Sequence, residues 1–400
     1  MSKLSDRILS LAESETLAMS RRSREMKSNG CDIINLSIGQ PDFFTPNFIK
    51  DAGKKAIDDN ITYYPPVAGF LSLREMICKK LLRDNGLKYT PDQIVVSNGA
   101  KQSIANAVMS LVNPGDEVLL PIPFWVSYRE IIRLAGGKHV YVPTSINNEF
   151  KVTAGELQKY ITKKTRLIIF SSPSNPTGSV YTKEELRSLA ELFKANPQIH
   201  IISDEIYELI NFGAKHESIA QFDNIRDRVI IINGVSKGFS MTGWRLGYLA
   251  AHRDIASATE KYQGQMTSGA CSVSQMAAQE ALNPEPKKIE ETNEMLKAFE
   301  KRRDLLISEL RKIDGIKTYQ PKGAFYIFPD VSALYGKSYN GKIIDNSEKL
   351  SDYLLEEAWV ATVPGAAFGD PDCIRLSYAT SMEQLTEAMK RINKAVDKLS

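Results

Sequence analysis

The sequence predicts an α/β fold: a large domain on a mostly parallel sheet sandwiched by helices, followed by a smaller α+β domain. Three observations predict it. Short β-branched runs alternate with amphipathic stretches through the middle of the chain, the pattern of a sheet covered on both faces. The composition shifts at Asn283-Pro284-Glu285-Pro286, after which a charged, helix-rich stretch runs from Lys287 to Leu310. The chain has 400 residues, 42% hydrophobic and 25% charged, enough to bury the cores of two domains.

The strand candidates, in order, are Ile94–Ser97, Glu117–Leu120, Leu167–Phe170, His200–Ser203 and Val229–Asn233. Between them lie helical patterns. Ile104, Ala107, Val108, Leu111 and Val112 fall at i, i+3, i+4, i+7 and i+8, one face of a helix. A second helix runs from Lys183 to Phe193. Thr182 is its predicted N-cap, and Glu185 completes a capping box. In the C-terminal part, Ala324–Phe328 and Cys373–Ser377 read as strands. The expected division is a large domain over 46–285 and a small one over 286–400.

Composition excludes several classes of function. Net charge is +3 and the basic residues are interleaved with acids, so nucleic acid is not an expected partner. The densest basic cluster, Arg21-Arg22-Ser23-Arg24, reads as a solvated helix face. Cys31, Cys78, Cys271 and Cys373 form no CxxC pair, and the four histidines are scattered, so neither a metal site nor a disulfide framework is expected. Free cysteines fit a reducing, cytoplasmic setting. The first 20 residues carry acids and lack the apolar run of a signal peptide. No stretch approaches the roughly 20 apolar residues of a membrane span. There is no GxGxxG and no Walker lysine motif.

Four segments at predicted strand ends carry chemistry. In Ser236-Lys237-Gly238-Phe239-Ser240-Met241-Thr242-Gly243-Trp244-Arg245, Lys237 follows a buried strand. It is either a solvated loop lysine or a Schiff-base lysine whose pKa its surroundings depress. Arg245 offers a planar fork for a phosphate. Asn98-Gly99-Ala100-Lys101-Gln102 opens a helix with small residues, so it is a plain turn or an anion site made of backbone N–H groups. Ser172-Pro173-Ser174-Asn175-Pro176-Thr177-Gly178 is a rigid turn with an amide placed between two prolines. Asp204, directly after an apolar run, is a helix cap or the partner of a ring nitrogen.

These segments, in this order, resemble the class I pyridoxal-phosphate aminotransferases of fold type I, nearest the bacterial aspartate aminotransferase subgroup. The likeness runs from Gly39-Gln40-Pro41-Asp42-Phe43 to Arg375-Leu376-Ser377-Tyr378-Ala379-Thr380. It implies a seven-stranded sheet and an N-terminal segment, 1–45, packed with the small domain. It implies pyridoxal 5'-phosphate as cofactor and an amino acid with a 2-oxo acid as substrates. Lys237 would carry the cofactor, Asp204 would hold the pyridinium nitrogen, and Asn175 with Tyr207 would bond the ring's phenolic oxygen. Trp125 would stack on the ring. Ser236, Arg245 and the backbone of Gly99, Ala100 and Lys101 would hold the phosphate. Tyr64 would reach it from a second subunit, which makes the expected form a homodimer. Arg375 and Gly39 would receive the substrate's α-carboxylate.

The resemblance also points to Lys101 and Thr16 for the distal carboxylate of aspartate, with 2-oxoglutarate as acceptor. Some relatives carry a lysine tied to prephenate use where this chain has Ala12, which argues against that substrate. Glu13 and Glu15 would repel acidic substrates if they pointed inward. Rival readings are an aminotransferase for alanine, aromatic or other neutral amino acids, and a lyase on the same fold.

Overall fold

The computed structural model describes residues 4–13, 15–213 and 215–400. Met1, Ser2 and Lys3 of the expected N-terminal segment, and Ser14 beside Thr16, lie outside the described residues. At the centre is a seven-stranded sheet, the number the resemblance implies. Its order is Ile94–Ser97, Gly247–Ala250, Val229–Gly234, His200–Asp204, Thr165–Ser171, Glu117–Pro121, Lys138–Val142. Gly247–Ala250 runs antiparallel to both neighbours, and every other pairing is parallel. The five strands predicted inside this sheet are all present. Two were not predicted. Lys138–Val142 is a half-exposed edge strand, and Gly247–Ala250 is a four-residue strand opened by a glycine.

The inner strands are buried along nearly their whole length, with one half-buried residue in each but Gly247–Ala250, as near-continuous Val, Ile and Leu runs require. One apolar core lies on each face. Ile168, Ile201, Val229 and Ile231 belong to one, against Leu186, Leu189 and Phe193. Leu167, Ile169, Ile202, Ile230 and Ile232 belong to the other, against Ile104, Ala107 and Val108. This is the period-2 alternation of strands feeding two helical layers.

The helix Lys183–Ala195 starts at the predicted capping box. Thr182 Oγ1 accepts from Glu185 N at 3.3 Å, and Glu185 Oε2 accepts from Thr182 N at 2.8 Å. The long helix Glu290–Leu310 packs against Met382–Val396 over a separate core that includes Phe299, Leu306, Leu385 and Ile392. A three-stranded antiparallel sheet lies in the same core. Its middle strand is Ile374–Ser377, flanked by Val363–Pro364 and Tyr326–Ile327.

The N-terminal segment joins this second core. Ile34–Asn35 pairs in parallel with Val360–Ala361. Arg22 is more than a solvated charge: it pairs with Asp352, and with Glu356 at 2.6 Å, linking the helix Glu15–Ser28 to Ser347–Glu357. Among the described residues all four cysteines are free, and no helix is long and apolar enough to cross a membrane.

Because the capping box satisfies two helix-end groups at once, Thr182→Ala is expected to lower stability by about 1 kcal/mol. Urea denaturation checks this; an unchanged midpoint would show that the cap contributes nothing.

Candidate active site

The carboxyl ends of the parallel strands open onto a cavity of about 400 Å³, closed on its other side by the N-terminal segment and the three-stranded sheet. Twelve of the fourteen residues singled out from the sequence line it. Ala100 and Lys101 follow Ile94–Ser97, and Trp125 follows Glu117–Pro121. Asn175 follows Thr165–Ser171, Asp204 ends its own strand with Tyr207 one turn on, and Ser236 and Lys237 follow Val229–Gly234. Arg245, Gly39, Arg375 and Thr16 complete the lining. Gly99 sits one layer back. Its φ is +85°, and a Cβ there would lie 2.5 Å from Arg245 Nη2, so only glycine lets the guanidinium seat against the turn. Tyr64 is elsewhere, 96% exposed on the surface.

Charge sets the character of the cavity. Among the described residues Lys101, Lys237, Arg245 and Arg375 line it against one carboxylate, Asp204. Arg375 is fully buried in the middle strand of its sheet. Its Nη1 donates to Asn175 Oδ1 at 3.0 Å and its Nη2 to the Ser37 carbonyl at 2.6 Å. Its Nε has no partner, and among the described residues its bonds go to neutral acceptors alone. A buried guanidinium held only by neutral acceptors is arranged for an incoming anion.

Lys237 Nζ donates to the Gly39 carbonyl at 2.5 Å. Burial, then the Arg375 and Arg245 charges, depress its pKa to about 8. Asp204 shows the converse. Burial raises its carboxyl to about 6, against the pull of hydrogen bonds from Tyr128 Oη at 2.6 Å and Ile206 N at 3.2 Å. A carboxylate so placed gains most from a cationic donor on its open side.

These residues would suit pyridoxal phosphate. The Gly99 turn and Arg245 form a cradle that a Cβ would fill. Lys237 has a depressed pKa for attack on an aldehyde, and Asp204 is a buried acid awaiting a cation. The donor set matches the group's phosphate, aldehyde and ring nitrogen.

Two lining tyrosines escaped the sequence reading. Tyr128 holds Asp204. It stands three residues after Trp125, at the start of the helix Ser127–Leu134, and that closeness in sequence could have flagged it. Tyr326 Oη bonds Tyr207 Oη at 2.9 Å, and its ring lies 4.5 Å from the Arg375 guanidinium. Its signal was weak: a tyrosine inside a predicted strand. The motif Gly39-Gln40-Pro41-Asp42-Phe43 is tied to the helix Glu290–Leu310 through Asp42, which takes both Nη groups of Arg302 at 2.7 and 2.9 Å. Glu13 does not point inward; it pairs with Arg21. Ala12 lies outside the lining, its N–H on Glu130.

The family described as "Aminotransferase class I and II" matches residues 31–392. A Petunia hybrida protein named "Bifunctional aspartate aminotransferase and glutamate/aspartate-prephenate aminotransferase" is 48% identical over 98% of this chain and 82% of its own length. The aspartate aminotransferase structure from Rhizobium meliloti has a TM-score of 0.96 at 39% identity and covers all of both chains. That of Thermus thermophilus aspartate aminotransferase with maleate has a TM-score of 0.92 at 36% identity, over 99% of this chain and 100% of its own.

Only a neutral amine attacks an aldehyde, and the Lys237 amine loses its proton as pH rises through about 8. The rate at which the cofactor-free protein takes up an added aromatic aldehyde should therefore climb through that range and level off above it. Stopped-flow absorbance measures this; a flat profile would remove Lys237 as the attacking group.

Proposed function

The chain belongs to the class I and II aminotransferases, and on that premise we propose that it moves the amino group of L-aspartate to 2-oxoglutarate at the cavity around Lys237. The cofactor is pyridoxal 5'-phosphate. The observation that carries the reading is the four-to-one excess of cations over carboxylates among the described residues that line a partly enclosed cavity. It suits a phosphate and two dicarboxylic partners.

Lys237 would take the aldehyde carbon of the cofactor. Once displaced by the incoming amino group, its Nζ would move the proton at the substrate's Cα. The cofactor supplies the electron sink that stabilises the charge left there. Asp204 would keep the ring nitrogen protonated, itself oriented by Tyr128. Asn175 and Tyr207 would serve the ring hydroxyl, and Trp125 the ring face. Ser236, Arg245 and the N–H groups at Gly99, Ala100 and Lys101 would hold the phosphate. Arg375 would clamp the α-carboxylate, with the backbone of Gly39 beside it.

Lys101 and Thr16 stand where they could meet the distal carboxylate. Lys101 Nζ lies 5.0 Å over the Trp125 ring, and burial and Arg245 lower its pKa. Ala12 supplies no cation, so prephenate should be a poor substrate here, although the Petunia relative is named for it. The exposure of Tyr64 (96%) and Tyr63 (82%) supports a homodimer in which Tyr64 reaches the partner's phosphate site. We also propose the domain division 46–285 and 286–400, with 1–45 on the small domain, and a cytoplasmic location.

Purified protein should show a yellow, pH-sensitive band that Lys237→Ala abolishes, with transamination falling roughly 10²–10⁴-fold. A colourless protein unchanged by added pyridoxal phosphate would sink the cofactor assignment. Arg375→Ala should raise KM for amino acids roughly tenfold to a hundredfold, the loss of a charge-assisted clamp. In a half-reaction panel aspartate should outpace alanine, tyrosine and prephenate; alanine or tyrosine reacting while aspartate does not would move the enzyme to neutral substrates.

A further inference from the structure

The residues that face away from the cavity at the end of His200–Asp204 form a buried ionic cluster that the reaction itself does not use. In Asp204-Glu205-Ile206-Tyr207-Glu208, Asp204 and Tyr207 line the cavity, whereas Glu205 and Glu208 point into the opposite side and are 1% and 7% exposed. Glu208 Oε1 contacts Lys80 Nζ on the helix Leu71–Asn85, and its Oε2 accepts from Asn233 Nδ2 at 2.6 Å. Asn233 in turn accepts from Gly234 N at 2.7 Å, three residues before Lys237. Glu205 accepts from Ser203 and Ser218 at 2.9 and 2.6 Å and pairs with His216 Nε2 at 3.0 Å. Ligand atoms of Glu205, Glu208 and His216 lie within 4.8 Å of one another, and the Lys80 ammonium sits against Glu208 with Asp84 3.9 Å away on its own helix.

Apolar side chains of equal volume would stabilise that interior as well or better. What the ions add is direction. They fix one turn, one strand end and one helix at set N–H···O angles. We propose that the Lys80–Glu208–Asn233 link, braced by Glu205 and His216, is a positioning device that holds Asp204 and Tyr207 in register with Lys237. It rests on the reading of the cavity as the cofactor site. Asp204 and Tyr207 sit on the turn that Glu208 anchors. Lys237 sits on the strand extension that Asn233 anchors. Loosening the link lets the two sides shift relative to each other without touching any residue that meets cofactor or substrate.

The test uses the cofactor-loaded enzyme and the double variant Lys80→Met with Glu208→Met, which removes both charges and leaves neither uncompensated. Its thermal midpoint should stay near that of the parent. The pH midpoint of the bound cofactor's absorbance band should move by about half a unit or more, and kcat should fall about tenfold while KM changes less than about twofold. A double variant with the parent's pH midpoint and kcat overturns the proposal and leaves the cluster as packing. Should the double variant not fold, Asn233→Ala, which keeps the ion pair, must show the same shifts in smaller measure, and parent-like values there overturn it equally. A parent enzyme with no cofactor band would instead fail the reading of the cavity, a separate result.

Discussion

Parallel strands end on the same edge of a sheet, and the whole site follows from that constraint. Six of the seven strands run one way, so chain segments far apart in sequence deliver their first loop residues to one line. Backbone groups released at those ends are no longer committed to the ladder, which makes the edge the natural place for polar chemistry. Gly247–Ala250, the single reversed strand, brings Arg245 to that edge from its entering end. The topology needs no long loop to gather the site. The second core supplies the opposite wall by presenting Arg375 and Tyr326 from adjacent strands.

On this scaffold electrostatics divides the labour between groups of the same sign. Burial depresses the Lys237 ammonium and lifts the Asp204 carboxyl, pushing both toward the neutral range. On the proposed reading that would ready one to attack and the other to respond to a cation. Arg375 cannot shed its proton at any ordinary pH, so burial leaves it charged and in need of an anion. Among the described residues the cavity thus holds two lysines whose pKa burial lowers, Lys237 and Lys101, beside arginines that stay charged. That division separates proton handling from anchoring.

Sequence patterns reveal what is local. Strand ends followed by Gly, Asn, Asp or Lys mark the chemical edge, because each such residue type is costly inside a parallel sheet. The capping box at Thr182 is legible for the same reason: its partners are three residues apart. Lys138–Val142 was not legible, because an edge strand with one wet face lacks a continuous apolar run. Tyr128 and Tyr326 were missed because their meaning lies in partners 76 and 119 positions away, Asp204 and Tyr207. Arg22 misled in the other direction. A run of arginines reads as solvent-facing until a carboxylate pair 330 residues on is folded against it.

Lys80 and Glu208 are 128 residues apart in the chain and nearly sealed from water. A change in Lys80 alone leaves Glu208 buried without its ammonium, and a change in Glu208 alone leaves Lys80 only the more distant carboxylate of Asp84 at 3.9 Å, a loss of up to about 3–5 kcal/mol and a large part of the stability of an ordinary domain. A descendant line can therefore lose this pair only by replacing both members nearly together, and drift at one position is shackled to the other. The pair is a hereditary lock, expected to survive unchanged or to vanish whole while exposed residues around it vary freely.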